Sequence, residues 1–565
     1  MSDSLGFFTL QKRSNVPPAN QPISDDSGWS NISTTIPSTD RFANDSTTPD
    51  VWYRLKQTTA NGVVVPYPVR PLTSTNQAIG TWVWQNYFYD HVSGGGAASC
   101  LCVTIDSHDN VIVGGSFVGA SPSNATTFPD GSNVLSPGSP GAFIIKFNSS
   151  GVFQWKKTFG GTAANGVACL ATIPVNGQED DVLMGGSFAY IQSASPNTII
   201  IDANTSFTTA GNTFDNMVFV KLRGSDGLSY WGHTYDGLGQ DKLNSRIAVA
   251  ANGDFFISGA ADAGQALTIG GITTAASGVQ CGVFARLNAA NPQNAVWVRR
   301  LTAGSFIQGT ILGGSSLDKD ENFVIAGTVS NGSYDFGSGL TAFGPGVFIA
   351  KYKGTDGTPA AGFSNPVFIS DPSTGLTCDS MNTDPVTGEI WIGGFVKNGP
   401  VDFGNGHLTP STQNGNGYFY IAKFSSAGIC LGLTVYGSGI QSSDHTIITT
   451  KSLLILGGKV YACGICAGTI NFLDGQGSTF GQNSGWFMVL NTADLSFGGF
   501  RRRVASSNEP PYNSGNMIPL ACFARGNKMV FAGSVFNLTT LDAAAPQITT
   551  GFVNTKAAMT VVFFK

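Results

Sequence analysis

Few groups in this chain could do acid–base, nucleophilic or metal chemistry: 35 Asp and Glu, 9 Cys and 5 His in 565 residues. Asp335-Phe336-Gly337 and Asp402-Phe403-Gly404 have the form of the kinase triplet whose Asp holds magnesium, but no Gly-rich phosphate loop accompanies them. They stand 67 residues apart and Asn471-Phe472 follows 69 later, so they are read as one loop repeated. Asp318-Lys319-Asp320-Glu321-Asn322 spaces its oxygens like a calcium loop. An EF-hand needs Gly at its sixth position and Glu at its twelfth. Phe323 and Val329 stand there, so a solvated turn is expected. Cys463-Gly464-Ile465-Cys466 is a CxxC at a strand end, away from the helix N-terminus that would activate a thiol. Cys100, Cys102, Cys169, Cys378 and Cys522 are expected as buried thiols on inner strands. His91, His108, His233, His407 and His445 are scattered, with no His-Glu-x-x-His. Lys156-Lys157, Arg299-Arg300 and Arg501-Arg502-Arg503 are read as charges guarding sheet edges. No catalytic residue, metal ligand or cofactor is assigned from these spacings.

The elements that carry these residues repeat. Val113-Gly114-Gly115-Ser116-Phe117 returns as Met184-Gly185-Gly186-Ser187-Phe188, with looser copies downstream. The aligned glycines are 115, 186, 259, 327, 394, 464 and 533, at steps of 71, 73, 68, 67, 70 and 69. A second landmark keeps step: Phe143-Ile144-Ile145-Lys146, Val218-Phe219-Val220-Lys221, Val283-Phe284-Ala285-Arg286, Phe348-Ile349-Ala350-Lys351, Tyr420-Ile421-Ala422-Lys423 and Val562-Phe563-Phe564-Lys565. A third is Gly followed four residues on by Trp, as in Gly151/Trp155 and Gly227/Trp231. Each copy reads as four short apolar strands rich in Val, Ile and Phe. Such a unit in seven copies predicts an all-β fold, a seven-bladed β-propeller.

The last copy holds three strands and no fourth, whereas Gly80-Thr81-Trp82-Val83-Trp84 is an orphan with the Gly-to-Trp spacing of an outer strand. Residues 81–90 are therefore expected to complete the seventh blade, with Trp82, Trp84, Phe563 and Phe564 at the closure. Closure by strands from both ends leaves no open seam. Over residues 80–565 the pattern resembles the Gly-rich bacterial propeller repeats called SBBP: a Gly-Gly-Ser-Phe strand, a Phe-Gly loop, a Phe-Ile-x-Lys strand, a Gly turn and a Trp strand. The resemblance implies architecture and no defined catalytic residues. The copies from the fourth to the sixth depart from it by lacking the Trp.

Composition sets the remaining bounds. The 73 glycines, about 13 % of the chain against a usual ~7 %, exclude a mainly helical protein. Charged residues are only 12 %, yet 41 % of residues are hydrophobic, enough for a core. A net charge of −5 argues against a nucleic-acid partner, and no apolar run is long enough for a membrane helix. The first eight residues lack the charged and apolar regions of a secretory signal. Residues 1–79, rich in Ser, Thr, Asn and Pro, are expected as an extended arm anchored by Phe7, Phe8, Trp29, Trp52 and Tyr53. The turns after the first and third strands of each copy are short, and the connections between second and third strands are long. One face is thus regular and the other variable, as on a binding scaffold. The expectation is a non-enzymatic binding or structural module without cofactor. The arm would tether it to other structural proteins, and the long loops would meet a glycan or protein on a host surface. Unpaired thiols with an exterior-like composition point to a virus or phage particle. A secreted or cell-surface adhesin, and a propeller glycosidase or lyase acting on polysaccharide, are the alternatives.

Overall fold

The computed structural model describes residues 82–564 apart from 91–97, 119–124, 137–140, 160–164, 176, 189–197, 209–215, 236–241, 244–246, 262–263, 265, 277, 279–280, 305–309, 338–340, 364–365, 374, 398, 412–416, 438–448, 472–476, 507–516, 526–527, 537–538 and 541–555. It also describes 7–13, 30–31, 52–58, 64–66 and 70–71. All described elements are strands, and they fall into two compact units, Met1–Thr81 and Trp82–Lys565.

The second unit is a β-propeller. Its first blade pairs Ala98–Ile105, Val111–Phe117, Gly141–Phe147 and Phe153–Phe159, all antiparallel. The second pairs Asn165–Ile173, Asp181–Phe188, Asn216–Leu222 and Ser229–Tyr235. The same order recurs in blades centred on Phe255–Ala261 and Cys281–Leu287, Phe323–Asp335 and Thr341–Tyr352, Ile390–Val396 and Tyr418–Phe424, and Lys459–Asn471 and Gly477–Asn491. These are six blades of strands taken in chain order, one fewer than the copies in the sequence. The last copy supplies only Met517–Arg525, Lys528–Phe536 and Lys556–Phe564, and this sheet is extended by Trp82–Asp90. Val562 pairs with Trp84 and Phe563 with Trp82 across that junction. The first strands of neighbouring sheets touch one another: Ala98–Ile105 lies between Met517–Arg525 and Asn165–Ile173.

Burial explains the sequence pattern. Second and third strands are covered on both faces, so they read as unbroken apolar runs. All of Gly141–Phe147 is buried. Its alternate residues serve different cores. Phe143 and Ile145 pack toward Trp84 and Val530, whereas Ala142 and Ile144 pack toward Val167 and Val182 of the next blade. Outer strands have one exposed edge and show mixed burial instead. The paired glycines have a local cause. The first strand shifts register between Cys100 and Cys102, and a Cβ on Gly115 would lie 1.9 Å from the Ser99 carbonyl oxygen. The same bulge recurs between Val167 and Cys169, where Gly186 faces the Gly166 carbonyl.

Two expectations change. The segment expected as an extended arm carries an antiparallel five-stranded sheet. Phe7–Arg13 pairs with Trp52–Thr58, and Ser30–Asn31, Val64–Pro66 and Arg70–Pro71 add to it. The register sets Leu10 opposite Leu55 and Gln11 opposite Arg54, a pairing that the polar average of the segment conceals. The second change concerns the long connections, which do not simply crown one face. Ala125–Val134 of the first blade places Thr126–Thr127 against Tyr89–Asp90, extending the outer strand of the closing sheet. Thr198–Asp202 and Thr205–Thr208 form a hairpin against the outer strand of the second blade, and Leu267–Ile269 with Ile272–Thr274 does so in the third. An outer strand is an open hydrogen-bonding edge, and these hairpins cover it.

Candidate functional site

The repeated basic residue sits where the third strand shifts register against the outer strand, as between Lys146 and Phe147 or Lys423 and Phe424. A bulge re-aims the side chain. Lys146 Nζ reaches Asp106 of its own blade at 3.0 Å, with both side chains fully buried, and Glu179 of the next blade at 2.7 Å. It also donates to the Gly224 carbonyl in the next blade at 3.0 Å, where Trp155 Nε1 donates to the same oxygen at 2.8 Å. Arg286 repeats this with Asp254 and the Gly354 carbonyl, which Trp297 Nε1 also reaches at 2.8 Å. Lys351 pairs with Asp318 at 2.6 Å and donates to the Ser426 carbonyl, and Lys423 pairs with Glu389 and donates to Thr492. At the closing sheet Lys528 and Trp84 both donate to the Ser149 carbonyl. Buried charge is tolerated because each ion is paired and hydrogen-bonded. The blade-to-blade clasp therefore accounts for the second sequence landmark.

The third landmark completes it. Gly151, Gly227 and Gly357 have φ of +82°, +71° and +68°, and a Cβ on each would lie 2.6–2.8 Å from Trp84, Trp155 and Trp297 of the preceding sheet. The indole thus lies flat on a turn that only glycine can make. The turn facing Trp231 lacks that glycine, and Trp231 stacks on Phe255 instead, 6.0 Å between centroids.

The residues singled out in the sequence are absorbed by this scaffold. Asp335 and Asp402 accept the N–H of Gly337 and Gly404 at 2.7 and 2.8 Å, closing tight turns. Phe336 and Phe403 are buried against Phe348 and Tyr420 at 4.9 Å. In the calcium-like turn, Asp318 accepts from Asp320 and Asn322 N–H and from the Lys351 ammonium, which occupies the place a cation would take. Burial works against this carboxylate, but hydrogen bonds from Lys351 and Asn322 outweigh it and hold the carboxyl below its ordinary range. Lys156 pairs with Asp130 and Lys157 with Asp202, so these lysines tie edge hairpins down. Arg300 reaches the Ala275 carbonyl and Cys281 Sγ. The backbone of Arg501–Arg503 lies in the outer strand Phe497–Ser506, and their side chains are outside the described residues.

Among the described residues eight cysteines are buried and outside any disulfide: Cys100, Cys102, Cys169, Cys281, Cys378, Cys430, Cys463 and Cys522. Burial pushes the Cys169 and Cys378 thiols up, and Cys430 up to about 11. Burial lowers His233. His91, His445 and Trp29 are outside the described residues, as are the side chains of Phe7, Phe8, Trp52, Tyr53, Trp82, Phe563 and Phe564. Among described residues, no three His, Cys, Asp or Glu converge as a metal site. Trp84 is buried 5.6 Å from Phe147 in the first blade.

One feature of the turn face is not periodic. In the fourth blade the outer strand Val367–Ser370 starts ten residues after Gly357, whereas Phe153 and Ser229 start theirs two after Gly151 and Gly227. The extra segment borders a cleft of about 550 Å³ lined by Arg286, Lys319, Asp320, Glu321, Lys351 and Lys353. Sequence reasoning missed it, although the displaced outer strand and absent Trp were its signal.

A β-propeller with inter-blade clasps is the class of protein that this fold defines. No family model matches the chain, and no curated protein matches it. Among solved structures, a protein of unknown function from Dyadobacter fermentans DSM 18053 is 6 % identical, with 86 % of this chain and 99 % of that one covered and a TM-score of 0.29. The rhamnogalacturonan lyase YesW is 11 % identical, with 89 % and 83 % covered and a TM-score of 0.30. At these TM-scores neither likeness bears on function.

Proposed function

We propose that the chain is a non-enzymatic binding scaffold: a propeller of seven blades, counting the closing sheet, presented on a larger assembly by its N-terminal unit. The observation that supports this reading is the use of the recurrent charges. Lys146, Arg286, Lys351 and Lys423, with Asp106, Asp254, Asp318 and Glu389, are paired within and between blades. A general acid or base needs a carboxyl held near the working pH and within reach of substrate. Burial opposes the charge of Asp202, Asp254 and Asp318, but hydrogen bonds and neighbouring cations outweigh it and hold these carboxyls below their ordinary range. The composition and free thiols favour a virus or phage particle surface as the setting, with the N-terminal unit meeting other structural proteins and the loops meeting a host glycan or protein. The full chain on a polysaccharide and glycan array tests the reading. Retention without new reducing or unsaturated ends is the expected result; bond cleavage at a rate that scales with protein would replace it with the polysaccharide-degrading enzyme.

A further inference from the structure

We propose that the cleft of the fourth blade, on the short-turn face, binds a sugar unit that carries one carboxylate. The same turn occurs twice in the chain, as Arg223-Gly224-Ser225-Asp226-Gly227 and Lys353-Gly354-Thr355-Asp356-Gly357. In the second blade Arg223 closes on Asp226 through both Nε and Nη2. In the fourth blade Asp356 is taken by the N–H and hydroxyl of Thr358, at 2.8 and 2.6 Å. The backbone of Lys353 bonds to Thr358 and Gly357, but its ammonium makes no hydrogen bond or ion pair to a described residue, and the side chain lines the cleft. The local sequence therefore supplies a cation that its own turn does not use.

The neighbouring segment makes room for a ligand. Ala360, Ala361 and Gly362 form one wall, and Phe363 with Val367 takes the place of the tryptophan against Gly428. A Cβ on Gly354 would lie 2.1 Å from the Glu321 carbonyl, so the two turns bordering the cleft meet backbone to backbone, as Gly224 meets Asp180 in the second blade. A volume of about 550 Å³ falls within the ~300–1,000 Å³ of ligand pockets. The late start of the outer strand Val367–Ser370 is a departure of this blade from the repeat, and such departures are where function is expected to override regularity.

The lining chemistry selects the ligand class. Asp320 is paired with Lys319 at 2.8 Å and Glu321 accepts the Ala251 N–H at 2.7 Å, so Lys353 is the lining cation left for an anionic group, beside carboxylate oxygens that can still accept. Sugar hydroxyls donate and accept at once, so they use both kinds of partner, and the lysine ammonium meets the carboxylate. A bare phosphate would meet the Lys353 ammonium but has no hydroxyl donors for the carboxylate and carbonyl oxygens around it, which a sugar ring supplies.

The test titrates the full chain with glucuronate, glucose and inorganic phosphate at fixed ionic strength, followed by saturation-transfer NMR and calorimetry. Glucuronate is expected to bind at least tenfold more tightly than glucose or phosphate. Lys353→Ala should weaken glucuronate at least tenfold while leaving the melting temperature unchanged, since Lys353 is exposed. Absence of glucuronate binding, equal binding of phosphate, or full affinity in Lys353→Ala overturns the proposal. The scaffold reading would survive that outcome, because it depends on retention without cleavage on the array and not on this cleft.

Discussion

Gly227 has a φ of +71°, and a Cβ there would meet the Trp155 ring at 2.8 Å. Gly131 has a similar φ, +78°, with nothing within 4 Å. The pair separates backbone strain from packing. Gly131→Ala should cost about 1–2 kcal/mol, the left-handed penalty for an L-residue. Gly227→Ala should cost a further ~1–3 kcal/mol because the indole is displaced. Urea midpoints measure both, and equal losses would refute the packing account. Lys146→Met leaves Asp106 buried beside no ammonium and should cost about 3–5 kcal/mol, partly recovered by adding Asp106→Asn. Asp202 gives a pH handle. Burial opposes its charge, yet the Ser229 hydroxyl and N–H, the Asn204 N–H and Lys157 bring its carboxyl down to about 2. An unfolded Asp titrates near ~3.9. A depressed folded value contributes stability that is complete above the unfolded value and lost as pH falls through the folded one. Asp202→Asn should therefore flatten the decline in urea midpoint between about pH 4 and 2. An unchanged acid slope would show that this carboxylate is not its source.

At the scale of elements, the edge hairpins decide how the outer strands meet solvent. Phe128, at the start of the Phe128–Ser132 turn, packs 5.3 Å from Phe117 and 6.0 Å from Phe143. Phe128→Ala should lose about 3–5 kcal/mol through the cavity. It should also loosen the hairpin and expose the edge, which size-exclusion chromatography would register as concentration-dependent self-association. A destabilised variant that stays as monodisperse as the wild type would show that the hairpin packs without guarding the edge. The same hairpins explain the adjacent lysines of the first blade's outer strand. Lys156 serves the hairpin of its own blade, and Lys157 serves the hairpin of the next. Their spacing was visible in the sequence, but their partners Asp130 and Asp202 lie 26 and 45 residues away in connections with no repeat pattern.

For the whole molecule, the closing strand Trp82–Asp90 belongs to the propeller unit, and residues 1–81 form a unit of their own. A chain of residues 82–565 should melt cooperatively at the wild-type temperature. One beginning at residue 91 should lose cooperativity, because the strand Lys556–Phe564 keeps Lys528–Phe536 but loses its outer partner. Calorimetry on both settles it; indistinguishable melts would remove the closing strand from the account. The ring also hides its thiols. Native alkylation should leave the eight buried cysteines unmodified, and denaturant should expose all 9.

Sequence alone determined the strand content, the repeat and the pairing of a strand near residue 82 with the last copy, because periodicity is imposed by neighbours that are themselves periodic. It also exposed the false motifs: the two Asp-Phe-Gly triplets share the repeat spacing, and both prove to be capped turns burying a phenylalanine. It did not determine what the landmarks do for one another. Lys146 and Trp155 meet at the carbonyl of Gly224, 78 and 69 residues away, and only the stacking of one blade on the next brings them there. The sheet formed within residues 1–81 and the fourth-blade cleft likewise belong to tertiary structure. A polar composition conceals a paired strand, and an aperiodic insertion carries no signal of the space it opens until its neighbours are in place.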